Sequence, residues 1–246
     1  MKKVSLLVVC LCLSTSGVSV ADMNLVVFSC DFEDGTVPSE ISGPGVITDT
    51  QGYDAYGFGS NFLRNGSGGP LGQSGTPSVL TLTGLPTHTS VSILVDVAFL
   101  DTWDGSDPYY GPDYFNIEVD GQTLFREQIS NGVHSQTFQP TPDDIIALPN
   151  ANLFTGLGNE DSAYKFDNYL DCIPHTSSQL TVEWFADGSG WQGIIGAIPQ
   201  DETWAIDNIT VVLHGVEVSP VPVPGAFSLG ALGIGFAGWL RRRKNA

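Results

Sequence analysis

Basic residues are scarce along most of this chain. Its 246 residues include 27 Asp or Glu but only 9 Lys or Arg, which gives a formal net charge of −18. Six of the nine basic residues lie at the two ends, namely Lys2, Lys3, Arg241, Arg242, Arg243 and Lys244. The region between them therefore sets three basic residues against all 27 acidic ones, a formal charge of −24. Such a region is repelled by nucleic-acid phosphates and anionic lipid head groups, which excludes a nucleic-acid partner and phosphoryl transfer by clustered Lys and Arg.

Sequence motifs of common enzyme classes are also missing. The chain contains no Gly-x-Ser-x-Gly nucleophile motif, no His-x-x-x-His or Cys-x-x-Cys zinc motif, and no Glu-x-Asp-x-x-Glu glycosidase strand. The four histidines are scattered, at His88, His134, His175 and His214. These absences favour a protein without catalytic activity.

The N-terminal 21 residues have the pattern of a secretory signal peptide. Two lysines precede an apolar run at 4–13, and small residues end the segment at Ser19-Val20-Ala21. Cys10 and Cys12 would leave with this peptide. The alternative is a buried N-terminal helix.

The C-terminus has three parts: a linker at 217–224, an apolar stretch at 225–240 and a basic end at 241–246. The apolar stretch is near the short limit for a transmembrane helix, and the following arginines would keep that end in the cytoplasm. The motif residues are Val221, Pro222, Val223, Pro224, Arg241, Arg242 and Arg243. This arrangement resembles the PEP-CTERM sorting signal, with Val223 in place of the usual Glu. The resemblance implies recognition by an exosortase; the alternative is a plain single-pass membrane anchor.

Residues 22–216 predict one all-β domain, an antiparallel β-sandwich of jelly-roll-like type. Apolar and polar residues alternate through Tyr114–Val119, and Asp120-Gly121 then favours a two-residue hairpin turn. Further strands are expected at 78–83, 91–100, 123–125, 179–185 and 204–213. A turn of helix is possible near 142–147, and 151–161 has no strand signal. The 29 glycines and 15 prolines fit a fold made of short strands and loops.

Two cysteines remain once the signal peptide is removed, Cys30 and Cys172. In an oxidising compartment a single pair is most simply explained as a disulfide. Two free thiols are the alternative.

An acidic loop is the first candidate for a calcium site. Asp101, Asp104, Asp107 and Asp113 lie within 13 residues, and Ca²⁺ prefers oxygen ligands of this kind. The alternative is a solvated loop with turn-forming Asp. The segment Asp101-Thr102-Trp103-Asp104-Gly105 is similar to a jelly-roll module of secreted bacterial proteins that has Asp-Ser-Trp-Asp-Gly at this place. The resemblance supports the fold and an exposed loop rather than a particular activity.

A second candidate joins the two ends of the domain. Asp31 and Glu33 follow the first strand, and strand alternation would place them on one face, while Asp207 lies in the last strand. The arrangement resembles carbohydrate-binding jelly rolls, in which a structural calcium links the first and last strands. Ordinary turn and hydrogen-bonding roles are the alternative.

Aromatic residues in the acidic loop and later in the chain predict a glycan-binding face, because exposed rings stack on sugars. The candidates are Trp103, Tyr109, Tyr110 and Trp191. Together these patterns predict an exported, exosortase-sorted protein of the cell surface or extracellular matrix. Its calcium-stabilised sandwich would bind extracellular polysaccharide or another glycan, or self-associate, and would contact the membrane through its C-terminal helix before processing. The alternatives are a secreted glycan-cleaving enzyme and a purely structural matrix protein.

Overall fold

The computed structural model describes residues 22–68, 72–155, 160–191 and 202–217. The predicted signal peptide, sorting motif, transmembrane stretch and basic end lie outside these residues. Within them, no helix has both the length and the apolar character needed to cross a membrane.

The described chain is built from β-strands and two short 3₁₀-helices. The strands are β1 (Asp22–Cys30), β2 (Ile41–Ser42), β3 (Val46–Asp49), β4 (Asn61–Asn65), β5 (Ser78–Thr83), β6 (Ser90–Asp101), β7 (Tyr114–Val119), β8 (Gln122–Gln128), β9 (Ile145–Ala151), β10 (Asp161–Lys165), β11 (Ile173–Pro174), β12 (Gln179–Asp187) and β13 (Glu202–Glu217). The 3₁₀-helices are Gln51–Tyr56 and Asp167–Tyr169. The all-β prediction is confirmed.

The strands form two sheets. The eight-stranded sheet runs β3-β4-β13-β6-β10-β9, with β1 also paired to β13 and β11 also paired to β6. The five-stranded sheet runs β2-β5-β12-β7-β8. The described pairings along the two strand orders, and that of β11 with β6, are antiparallel. One core cluster takes residues from both sheets, as expected of a sandwich.

Strands with clean alternation lie where the sequence predicts them. β12 alternates between buried and less buried residues along its whole length. β5 and β7 have the predicted bounds. The turn between β7 and β8 has positive φ at both Asp120 (51°) and Gly121 (74°), which is the conformation a two-residue hairpin needs.

The segment near residue 145 differs from its prediction. A turn at 142–144 leads into strand β9 rather than into a turn of helix. The reason is tertiary pairing, since Ala147 and Ile145 align with Ala163 and Tyr164 of β10.

The predicted disulfide is wrong. Cys30 and Cys172 are both free thiols. Cys172 lies beside His214, and His214 contacts Asn24 at the other end of β1 from Cys30. The six residue-to-residue steps from Asn24 to Cys30 span about 20 Å of strand. A disulfide needs Cα atoms about 4–7 Å apart, so the strand pairing keeps the two thiols separate.

A second aromatic cluster includes Tyr53, Phe58, Phe62 and Phe154, with Ala98 and Ala205 from the eight-stranded sheet. Tyr53 Oη donates to the carbonyl oxygens of Phe99 (3.0 Å) and Ser162 (3.2 Å), which fixes the 3₁₀-helix to the sheet. The chain that follows this helix forms one wall of the site described next.

Candidate functional site

An acidic cavity of about 190 Å³ lies where β13 meets the turn after β1. Its walls are Asp31, Glu33, Gly57, Phe58, Gly59, Asp207 and Asn208. All three acidic residues of the second predicted constellation therefore line one cavity. Their convergence comes from the strand order, which brings the first and last strands side by side.

Asp31 and Glu33 reach the cavity through a turn rather than through strand alternation. β1 ends at Cys30, and Phe32 then adopts a positive φ of 54° with its side chain buried in the core. Glu33 Oε1 accepts hydrogen bonds from the backbone N–H groups of Ser60 (2.7 Å) and Asn61 (2.9 Å). The anchored Phe32 ring thus leaves the two flanking carboxylates near the 57–61 segment.

Asp207 is held by an irregularity in β13. The pairing of β13 with β6 shifts register between Asp207 and Thr210, and Asn208 has a positive φ of 52°. Asn208 N–H donates to Asp207 Oδ1 (2.8 Å). Asn208 Nδ2 donates to Gly57 O (3.0 Å) and to Asp96 Oδ2 (2.9 Å). Such bulges redirect side chains next to functional sites.

The electrostatics of the cavity disfavour an ionised Asp207. Its side chain is only 1% exposed. Burial is the main cause that raises its pKa to about 8, and the negative charges of Asp96, Asp31 and Glu33 add to the effect. Burial also raises the pKa of Asp96. A cation in the cavity would reverse this balance, and an all-oxygen donor set is the kind that Ca²⁺ accepts.

The carboxylates of the acidic loop have different roles. Asp104 and Asp113 lie together with Glu202, and one carboxylate oxygen of each falls within 4.8 Å of the others. Asp113 and Glu202 are buried, and Asp104 N–H donates to Asp113 Oδ2 (2.8 Å). Sequence reasoning missed Glu202, because it belongs to no motif and reaches the loop only through the pairing of β13 with β6.

The other two loop carboxylates lie outside that group of three. Asp107 Oδ1 accepts from the N–H groups of Tyr109 (2.7 Å) and Tyr110 (2.8 Å), which lowers the pKa of Asp107. This is the turn-forming role. Asp101 N–H donates to Asp161 Oδ1 (3.1 Å) where β6 ends. Among the described residues, the group close enough to share a metal ion contains Asp104 and Asp113 of the four loop carboxylates, together with Glu202.

The aromatic candidates separate into buried and exposed pairs. Trp103 and Trp191 are both 0% exposed, and their ring centroids lie 5.1 Å apart within the core. Trp103 Nε1 donates to Thr203 O (2.8 Å). The prediction that these two rings bind glycan is wrong, since neither has a face to offer. Tyr109 (84% exposed) and Tyr110 (62%) do present rings to solvent.

The fold and these groups define an antiparallel β-sandwich with candidate oxygen-donor cation sites. No known family model and no curated protein matches the chain. A solved structure titled "EclA C-terminal domain; sugar-binding protein" is similar over 72% of this chain and 81% of its own, with 12% identity and a TM-score of 0.26. The Agl-KA catalytic domain is similar over 83% of this chain and 30% of its own, with 10% identity and a TM-score of 0.31. These low values identify neither a family nor a function.

Proposed function

We propose that this chain is an exported, non-catalytic β-sandwich, stabilised by calcium and sorted by an exosortase to the cell surface or extracellular matrix, where it binds glycan or self-associates. Export and sorting rest on the sequence patterns at the two ends. The calcium and glycan parts rest on the described residues.

The observation that carries the calcium part is the buried carboxylate of Asp207 in a cavity it shares with Asp31 and Glu33. Without a cation, the negative charge of this cavity destabilises the folded chain unless protons or solvent offset it. With Ca²⁺ bound, the turn after β1, the 57–59 segment and β13 would be linked through one ion. The group of Asp104, Asp113 and Glu202 offers a second set of oxygen ligands.

Thermal unfolding of the full chain with Ca²⁺ and with a chelator tests this part of the proposal. Calcium at one hundred times its dissociation constant should add about 2.7 kcal/mol to the unfolding free energy. The melting temperature should rise accordingly in differential scanning calorimetry. An identical melting temperature in the two conditions contradicts the calcium assignment.

The exposed rings of Tyr109 and Tyr110 support the glycan part. Asp107 fixes the backbone beneath both rings, so the pair is presented by an ordered loop rather than by a free chain. Aromatic rings at a sandwich surface stack on the apolar faces of sugars, and their two χ angles make the entropy loss small.

Replacing both tyrosines by Ala should abolish retention on the polysaccharide that the wild-type chain binds, while the melting temperature stays unchanged. Affinity electrophoresis through a panel of neutral and acidic polysaccharides measures this retention. The exposed Leu148→Ala variant is the matched control, because it also removes a large surface side chain. Release of sugar products from the panel supports the glycan-cleaving alternative, and assembly without retention supports the structural one.

A further inference from the structure

Three different metal-binding side chains meet at a place that the calcium sites do not use. Asp171, Cys172 and His214 each offer one ligand atom, and these atoms all lie within 4.8 Å of one another. Asp171 and Cys172 are exposed, and His214 is half-buried. His214 is seven residues further along β13 than Asp207, so the group is separate from the acidic cavity.

Strand pairing holds the three residues together. Asp171 and Cys172 directly precede β11, which pairs with β6 through Ile173 and Val91. His214 pairs with Ser90 on the other side of β6. Cys172 also has a positive φ of 50°, which is uncommon for a residue other than Gly. The group is thus assembled by the middle of the eight-stranded sheet rather than by one mobile loop.

The hydroxyl of Ser92 connects the group. Its Oγ lies 2.5 Å from Asp171 Oδ1, 2.6 Å from His214 Nε2 and 3.0 Å from the Cys172 backbone N. One hydroxyl proton and two lone pairs match these three contacts if Ser92 donates to Asp171.

Asn24 selects which ring nitrogen of His214 can bind a metal. Asn24 Oδ1 lies 2.9 Å from His214 Nδ1 and would accept from the Nδ1–H of the metal-bound tautomer, in which Nε2 carries no proton. That leaves Nε2, the nitrogen on the Asp171 side, for coordination. Histidine ligands usually donate their other N–H to an oxygen in this way, which fixes the ring orientation.

We propose that Asp171, Cys172 and His214 form a transition-metal site, selective for Zn²⁺ over Ca²⁺. Sulfur and imidazole nitrogen suit Zn²⁺, whereas Ca²⁺ requires oxygen ligands. On binding, the Cys172 thiol and any proton on His214 Nε2 pass to solvent, so that thiolate, neutral imidazole and carboxylate face the ion. Three protein ligands leave a fourth position for water or an external ligand, as in open zinc sites.

The three ligand atoms need to move only slightly closer together to bind zinc. Zinc bonds of about 2.0–2.3 Å in a tetrahedron separate neighbouring ligand atoms by about 3.3–3.6 Å. Both Asp171 and Cys172 are exposed, so their side chains can move inward by the difference. Ser92 would release Nε2 and keep its contacts with Asp171 and the Cys172 N–H.

Cobalt and zinc titrations of the full-length chain under reducing conditions test the site. Co²⁺ should produce thiolate-to-metal charge transfer and the strong visible absorption of a tetrahedral ion, and Zn²⁺ should remove both while excess Ca²⁺ should not. Bound Zn²⁺ should also protect Cys172 from alkylation, as mapped by mass spectrometry. Absence of the charge-transfer band, or alkylation of Cys172 at an unchanged rate, overturns the proposal.

Substitutions of the ligands test which residues bind the metal. Cys172→Ser and His214→Gln should abolish the charge-transfer band, and Asn24→Ala should weaken zinc binding by about 10–100-fold. Cys30→Ser is the matched control, because it removes a thiol on β1 and should leave the band intact. Loss of the band in Cys30→Ser, or its persistence in Cys172→Ser, would assign the metal elsewhere. Circular dichroism of each variant establishes that the sandwich is folded, so a lost band reports a lost ligand.

Discussion

Asp207→Asn should raise the melting temperature of the calcium-free chain at pH 9 and abolish the further rise that calcium produces. The amide is uncharged, so it removes the cost of burying an ionised carboxylate beside Asp31, Glu33 and Asp96. Its Oδ1 can still accept the Asn208 N–H. The same change removes a proposed calcium ligand, so one substitution should raise the melting temperature of the calcium-free chain and remove the stabilisation by calcium.

The stability of the calcium-free chain should depend on pH because of Asp207. Asp207 has a pKa of about 8 in the folded chain, against about 3.9 for an unperturbed Asp. Between these values the folded state holds a proton that the unfolded state has lost. The unfolding free energy of the calcium-free chain should therefore fall as pH rises from about 4 to about 8, by at most about 1.4 kcal/mol per pH unit from this residue.

Calcium that binds Asp207 as proposed must displace that proton. Titration calorimetry near pH 6, in buffers of different ionisation enthalpy, should show about one proton released for each calcium bound in the cavity. Asp143→Asn is a suitable control for the charge change, because Asp143 is exposed. Its calcium response should equal that of the wild type. A full calcium response in Asp207→Asn would place the effect elsewhere, for example at Glu202.

Two glycines offer an independent test of the same cavity. Gly59 and Gly57 both have positive φ, 60° and 96°. A Cβ on Gly59 would lie 2.4 Å from Glu33 Oε1, whereas a Cβ on Gly57 would meet no atom within 4 Å. Gly57→Ala therefore reports backbone strain alone. Gly59→Ala should show the same strain and should also weaken the response to calcium.

Trp103→Ala should destabilise the chain by about 3–5 kcal/mol, the usual cost of removing a buried aromatic ring. The centroid of the Trp103 ring lies 4.9 Å from that of Phe99 and 5.1 Å from that of Trp191. Loss of the ring also leaves Thr203 O without the indole N–H. Denaturant unfolding measures the change. Tyr109→Ala on the same loop should cost less than about 0.5 kcal/mol, since its ring is exposed.

Trp103→Phe separates packing from hydrogen bonding at this position. It keeps an aromatic ring but removes the N–H, so it should cost clearly less than Trp103→Ala. Equal and small effects of Trp103→Ala and Tyr109→Ala would contradict the buried position of Trp103 and revive its role as a glycan contact.

Alternating strands and the long apolar strands β6 and β13 could be predicted from sequence, whereas the short strand β10, which is covered on both sides, could not. β5 and β12 alternate because one face packs in the core and the other is more open. β10 has four successive buried residues, since the second aromatic cluster covers its outer side through Ala163. Burial on both faces removes the two-residue period that sequence reasoning depends on.

The acidic cavity was partly predictable, because joining the first and last strands needs only the order of the chain. Glu202, and the approach of Cys172 to His214, depend on which strands pair with β6 and in which register. Trp191, by contrast, was wrongly predicted to lie at the surface. A Trp between glycines resembles a surface residue, but Gly190 fits closely against the Tyr110 carbonyl and brings the indole into the core.

The position of β13 also has a mechanical consequence. This 16-residue strand is hydrogen bonded to β6 on one side and pairs with β4 and β1 as well. The residues that follow it lead to the segment 221–224, so tension applied there enters the domain along β13. An interior strand pulled along its length must shear many hydrogen bonds at once rather than open them one by one. If the domain is attached through that segment, as proposed, the load therefore falls on a strand that is paired on both sides.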